Sequence, residues 1–292
     1  MKEITLEELL EAGCHFGHQV TRSNPKARDY VYEAREGIQI IDLAKTKEGL
    51  DEALSYVKEV AKQGKTMLVV GTKRQAQAIV KEEVERARAE LKKNLPAGGS
   101  EYKDDIYYIT TRWIGGILTN FSEISKNLKK LKDLTKKLQS TEEKREYTKK
   151  EIGLWDKERQ RLESFYSGIK SIERNPDILF IVDTHLEDLA VREGLNMSVP
   201  IVGITDTNAN PEIIDYPIPA NDDATGSIKL IVGYIVDAWV EGKNNLESKI
   251  KNSEIKKNKK EVNKEANAPI SKIQKTKKET KEVKKPAKKK AK

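Results

Sequence analysis

The stretch PDILFIVDTHLEDLAVREG, residues 176–194, decides the fold. Its first part, DILFIVD (177–183), is an almost unbroken apolar run that ends in Asp183. Its second part, Leu186 to Leu195, reads as a helix. A continuous apolar run of strand length predicts a strand covered on both faces, as in a parallel sheet with helices above and below. The same unit recurs on either side. TMLVVGT (66–72) predicts a strand, and Arg74 to about Leu91 a helix with Ile79, Val80, Val84 and Ala87 facing inward. IYYIT (106–110) and PIVGITD (200–206) predict two more strands. Pro217 and Pro219 confine the segment around Ile218 to a sheet edge, where a missing N–H is tolerated. Asn221, Asp222 and Asp223 offer caps to a last helix carrying Ile228, Ile231, Val232, Ile235 and Trp239. The expected fold class is α/β, a doubly wound and mainly parallel five-stranded sheet.

Other segments surround this repeat. Thr5 and Glu8 form a capping-box pattern for a short helix ending near Gly13. DYVYEAREGIQIID (29–42) predicts a β-hairpin turning at Glu36–Gly37, followed by a helix from Leu43 to Gln63. NLPAGGS (94–100) reads as a loop. Between Asn120 and Arg174, one helical stripe runs through Phe121, Ile124, Leu128, Leu131 and Leu138. A second runs through Trp155, Leu162, Phe165 and Ile169. With a reversal near Gln139–Tyr147, they predict an inserted, protruding antiparallel helical hairpin, and Gly153 marks a break or bend in its return arm. Its charged outer faces read as a solvated surface, with a direct nucleic-acid clamp as the other reading. The expected division is 1–119 and 175–242 for the two parts of the α/β domain, 120–174 for the hairpin, and 243–292 for a disordered Lys-rich tail.

The net charge of +8 hides a strong asymmetry. From Lys243 onward there are 19 lysines against 6 glutamates, and the preceding 242 residues carry a net −5. Asp177 to Glu241 holds 12 acids against only Arg192 and Lys229. Affinity of the body for nucleic acid must therefore come from local clusters. The acidic N-terminal helix does not resemble a secretory signal, and no apolar run approaches the roughly 20 residues that cross a bilayer. The single cysteine, Cys14, excludes an internal disulfide and fits the reducing cytoplasm.

Candidate sites lie in three places. GCHFGHQVTRSNPKARDYV (13–31) joins Cys14, His15 and His18 to Arg22, Asn24, Lys26 and Arg28. Zinc or a Cys–His nucleophile would need convergence that this spacing does not supply. The cations, amides and glycines, Gly17 among them, instead suit phosphate and sugar oxygens. VGTKRQAQ (70–77) lacks any nucleotide-loop pattern, but Lys73 and Arg74 sit where a phosphate could meet a helix N-terminus; the other reading is a tight turn with solvated cations. TTRWIGGILTNF (110–121) adds Arg112, Trp113, Gly115 and Gly116, with Trp113 either a core anchor or a stacking platform. Asp183, Asp206, Asp222 and Asp223 follow or adjoin strands and read as helix caps; a Mg²⁺ site near Asp183 and Asp206 is the alternative.

Taken in order, residues 13–46, VGTKRQAQ, RWIGGILTN (112–120), PDILFIVDTHLEDLAVREG and PIVGITDTNANPEIIDYPIPANDDATGSIKL (200–230) resemble the bacterial-type family of ribosomal protein S-two. The resemblance covers about residues 2–241 and leaves the Lys-rich tail outside. It implies a flavodoxin-like domain with a protruding helical hairpin, and a structural, non-catalytic role without cofactor or small-molecule substrate. It implies binding to small-subunit rRNA where head meets body, in the cytoplasm and away from membranes. It also implies neighbouring ribosomal proteins as partners, including the large ribosomal protein one that captures mRNA. It carries rRNA contact onto His15, Gly17, His18, Arg22, Asn24, Lys26 and Arg28, and onto Lys73, Arg74, Arg112, Trp113, Gly115 and Gly116. The docking face is expected on loops at the sheet's N-terminal side. An enzyme for a phosphorylated metabolite and a tail-driven polycation binding any nucleic acid are the competing classes.

Overall fold

The computed structural model describes residues 4–94, 104–140 and 147–266, with side chains up to Leu246. The loop expected at 94–100 lies outside the described residues from position 95 on, as does most of the reversal between the hairpin arms. The body extends to Leu246, and Glu247 begins a second unit.

Five strands form the central sheet: β4 (Met67–Val70), β5 (Ile106–Ile109), β6 (Ile178–Ile181), β7 (Ile201–Thr205) and β8 (Tyr216–Pro219). Their order is β5-β4-β6-β7-β8 and every pairing is parallel. The fold is therefore doubly wound α/β. β8 sits at the edge, where Pro217 and Pro219 leave no ladder donor unsatisfied on a further neighbour.

Alternation along the strands sorts the core into two layers. Met67 and Val69 of β4, with Ile178 and Phe180 of β6, face α2 (Leu43–Lys62), α3 (Arg74–Asn94) and α7 (Thr225–Ala266). Leu68 and Val70, with Leu179 and Ile181, face α6 (Asp188–Asn196) and the hairpin helices α4 (Phe121–Gln139) and α5 (Lys149–Tyr166). The hairpin is thus built into the second layer through Ile124, Leu128, Leu131, Leu162 and Tyr166. Thr148 and Glu151 form a full capping box at the start of α5, which runs through Gly153 without the expected break.

Before the main sheet stands α1 (Leu6–Glu11), with Thr5 accepting from the Glu8 N–H at 3.2 Å. Glu8 does not reach back to complete the box; its carboxylate accepts from the Tyr234 hydroxyl at 2.9 Å. The predicted hairpin is β2 (Val31–Arg35) and β3 (Ile38–Ile41), and its turn residues Glu36 and Gly37 both have positive φ, 52° and 79°. A strand not expected from sequence, β1 (Phe16–Gln19), adds to β3 and makes a separate three-stranded antiparallel sheet.

Lys243 is buried, and its ammonium donates to the Lys65 carbonyl at 2.8 Å and to Asp105 at 2.9 Å. The last helix is described as far as Ala266. No Gly or Pro interrupts residues 243–268, and Lys and Glu are good helix formers. No helix among the described residues is long and apolar enough to cross a membrane.

Candidate nucleic-acid interface at the carboxyl ends of the strands

Parallel strands end together, so the residues just past them share one edge. Arg112 follows β5, Lys73 and Arg74 follow β4, Asp183 follows β6, Asp206 follows β7, and Asp222 and Asp223 follow β8. The 13–31 segment is fastened to this same edge. The His18 N–H donates to the Thr207 hydroxyl at 2.9 Å, and the Asn24 N–H donates to the Thr207 carbonyl at 2.8 Å. The candidate loops therefore sit at the carboxyl side of the sheet, not at its N-terminal side. The reason is topological: in a parallel sheet the turns into the following helices all open at the carboxyl ends.

Along the middle of that edge the charges neutralise one another. The Lys73 ammonium lies 2.7 Å from Asp222, 2.6 Å from Asp223 and 3.1 Å from Asp183. Burial works against its charge, but these carboxylates outweigh it and hold Lys73 above the ordinary lysine range. Asp222 is fully buried, and its carboxyl is pushed up to about 8 by burial first and then by Asp183 and Asp206. His18 Nδ1 meets Asp206 at 3.1 Å and its Nε2 meets Asp223 at 3.5 Å. That Asp206 contact, against burial, raises the imidazole above its usual value. Asp183 also accepts from the N–H groups of His185 and Leu186 at 3.0 and 2.8 Å; it closes the turn before α6 but does not cap that helix, whose N-cap residue Glu187 makes no side-chain capping bond.

This arrangement engages two groups of residues singled out from sequence. Lys73 is ion-paired to three carboxylates. Of the two acids named for Mg²⁺, Asp183 holds the Lys73 ammonium at 3.1 Å and Asp206 holds His18 Nδ1 at 3.1 Å. The groups that converge are His18, Asp222 and Asp223, with ligand atoms all within 4.8 Å of one another. A nitrogen with carboxylate oxygens is a mixed donor set, unlike the all-oxygen shell that Mg²⁺ prefers.

The 110–121 segment is held from below by Glu193 of α6. Its carboxylate accepts from the Trp113 indole at 3.2 Å and from the backbone N–H groups of Gly116, Leu118 and Thr119 at 2.8, 3.1 and 3.3 Å. The Thr119 hydroxyl adds a further bond at 3.2 Å. Burial pushes the Glu193 carboxyl up, but the Gly116 N–H, the indole and the other donors outweigh it and leave it below the ordinary range. Trp113 is only 5% exposed and belongs to the second core layer, so it anchors the loop and offers no face for stacking. Gly116 has φ +96°, a conformation that L side chains rarely adopt.

Four sequence-identified cations remain available: Arg22, Arg28, Arg74 and Arg112 are exposed and have no ion pair among the described residues. Lys26 is exposed but bonds Glu212. Asn24 caps the 3-10 turn Pro25–Tyr30, accepting from the Lys26 N–H at 3.0 Å. Gly17 admits the close approach of Thr207; a Cβ there would stand 2.7 Å from the threonine methyl. His15 tilts against Phe16 with ring centroids 4.0 Å apart, and burial lowers its pKa. Gly115 is exposed beside Leu189. Cys14 is fully buried, and burial raises its thiol, which suits neither a nucleophile nor a metal ligand. Glu193 and Thr207 were not singled out from sequence. The only signal for Glu193 is a charged residue on the helix face that also carries Ala190 and Gly194.

Comparison with known proteins agrees with the segment order found here. The family model described as ribosomal protein S2 matches residues 9–99 and 100–242. The small ribosomal subunit protein uS2 of Coprothermobacter proteolyticus is 46% identical over 244 residues, covering 83% of this chain and 84% of that protein. Both matches run through the two halves of the sheet and the hairpin between them, and the chain belongs to the ribosomal protein S2 family, structural, non-enzymatic components of the small ribosomal subunit.

Proposed function

We propose that this protein docks on small-subunit rRNA through the carboxyl edge of its sheet, at the junction of head and body, and helps to hold the large mRNA-capturing ribosomal protein one, in the cytoplasm. The observation that supports the rRNA reading is the set of four arginines, Arg22, Arg28, Arg74 and Arg112, left exposed and unpaired on one edge while the cations between them are neutralised. Guanidinium groups suit phosphate recognition, and donors of this kind read backbone shape more than base identity. His18, Gly17, Asn24, Lys73, Trp113 and Gly116 serve the same interface by building it. The junction and the protein neighbour rest on the family resemblance alone. Nothing in this reading calls for a resident cofactor.

Co-sedimentation with small subunits lacking their own copy tests the reading, using the full chain and a chain ending at Leu246. Both are expected to enter the particle. Entry by the full chain alone would favour a tail-driven polycation, and entry by neither would overturn the proposal.

A further inference from the structure

The last helix, α7, buries one side and leaves another open. Ile228, Ile231, Val232, Ile235 and Trp239 are buried in the first core layer, which fixes the helix against the sheet. Gly226, Leu230, Gly233 and Asp237 follow at spacings of four, three and four, so they share a different face. That face floors an open, mainly apolar cleft of about 460 Å³, walled by Ala12 just past α1 and by Glu83 of α3.

The two glycines of the floor differ. At Gly226 a Cβ would stand 2.8 Å from the Ala12 carbonyl oxygen, so the contact between α7 and the end of α1 requires glycine there. At Gly233 a Cβ would meet nothing within 4 Å. Glycine inside a helix is less favourable than alanine, and no contact among the described residues demands it at 233. What bare backbone allows at that point is close approach from outside, because the side chains at a contact set the distance between packed helices.

The polar groups of the cleft are engaged with one another. The Tyr234 hydroxyl donates to Glu8, and Arg86 of α3 is shared by Glu83, Glu90 and Asp237 at 2.7, 3.6 and 2.6 Å. Three carboxylates around one guanidinium leave that end of the cleft negative. Burial, and then the Glu8 and Asp237 carboxylates, push the Tyr234 hydroxyl up to about 12. A small polar ligand finds no converging donors here, and a polyanion is repelled.

We infer that this cleft receives the apolar face of a basic amphipathic helix from a neighbouring small-subunit protein, with a large side chain seated over Gly233 and cations beside Glu83, Glu90 and Asp237. An apolar trough with a charged rim suits a helix laid in a groove, and the sign of the rim selects the sign of the occupant. Proteins that share an rRNA scaffold carry cations to bind it, so basic helices are at hand in the subunit. This contact needs only membership of the small subunit and is independent of the arginines at the sheet edge.

The test uses the full chain with Lys229→benzoylphenylalanine, a photo-cross-linking change at a residue that lines the cleft, assembled into purified small subunits. Irradiation should join it to one subunit protein, through a peptide of positive net charge whose apolar residues recur at helical spacing. A product with rRNA, with a second copy of this chain or with an acidic peptide, or no product, overturns the inference. In the same chain Gly233→Leu fills the cleft floor and should abolish the cross-link, while Gly233→Ala should reduce it. Both changes should raise the melting temperature of the free chain by about 2 °C, since helix propensity improves and nothing is displaced. Both should also leave rRNA affinity at the parent's value. Asp237→Asn weakens the negative rim without adding bulk and should reduce the cross-link as well. An unchanged yield in Gly233→Leu overturns the seat over Gly233, and an unchanged yield in Asp237→Asn overturns the charge match. A Gly233→Leu chain that melts below the parent means that the cleft is closed in solution, which overturns the docking site too.

Discussion

The Glu193 carboxylate and the Trp113 indole N–H meet at 3.2 Å beneath the loop that presents Arg112. Glu193 takes the place of an anion in a cradle of backbone donors that a loop of this shape would otherwise turn toward solvent or phosphate. Glutamine is nearly the same size but replaces one acceptor oxygen with a donor. Glu193→Gln is expected to cost about 3 kcal/mol, since the buried Leu118 donor and the part-buried Thr119 donors lose their acceptor. The pH dependence has a definite sign. Because the folded carboxyl lies below its ordinary 4.5, its stabilisation is fully present above that value and is lost as pH falls through the folded pKa. Urea unfolding at neutral and acidic pH should show this acid-side loss in the parent and not in the variant.

Lys73→Met is expected to destabilise the body by about 3 to 5 kcal/mol, because it strands Asp183 and Asp222 as buried, unbalanced carboxylates. Methionine keeps the stem's volume, so lost packing does not confound the result. Asp222 already titrates near 8 when folded, well above its ordinary 3.8, and a raised acid loses stability as pH rises between those values. Removing the ammonium enlarges that rise. The variant should lie nearer to the parent at pH about 5 than at pH about 8; equal loss at both would refute the charge account.

The parts of this fold legible in sequence are those written in apolar pattern. Residues 178–181 and 201–205 are buried on both faces, so continuous hydrophobicity identified them without help from neighbours. β1 was not legible, because Phe16–Gln19 is a half-exposed strand whose partner, β3, begins at Ile38, beyond an intervening strand. The candidate site was legible as a set of segments but not as a set of roles. Nothing local distinguishes Lys73, enclosed by three acids from β6 and β8, from the exposed Arg74 beside it. Trp113 likewise became an anchor through Glu193, 80 residues away.

Two glycines make opposite predictions. At Gly168 a Cβ would overlap the Tyr108 carbonyl, at the point where the hairpin returns to the sheet and Arg88 bonds the Gly168 and Ile106 carbonyls at 3.0 and 2.7 Å. Gly168→Ala should destabilise by about 3 kcal/mol or more, since backbone must move. At Gly153, inside α5, a Cβ would meet nothing within 4 Å. Gly153→Ala should stabilise by about 0.5 to 1 kcal/mol through helix propensity. Thermal melts of the two variants should shift in opposite directions, and a fall for both would mean that α5 needs its glycine for a reason outside helix propensity.

Arg22, Arg28 and Arg112 to Gln should leave stability unchanged, because none of the three has an ion pair to lose among the described residues. Their effect belongs to the complex. Each phosphate contact removed should lower the log–log salt slope of rRNA binding by about 0.7 to 0.9, so the triple change should lower it by about 2 to 3. Gly17→Ala is the counterpart that separates building from binding. Its new methyl crowds Thr207 and the Gln39 carbonyl, so it should lower the unfolding midpoint. Where the protein stays folded, its salt slope should match the parent's, because no cation has been removed. A triple variant that binds with the parent's slope would place the phosphate contacts away from the carboxyl edge, whatever its affinity.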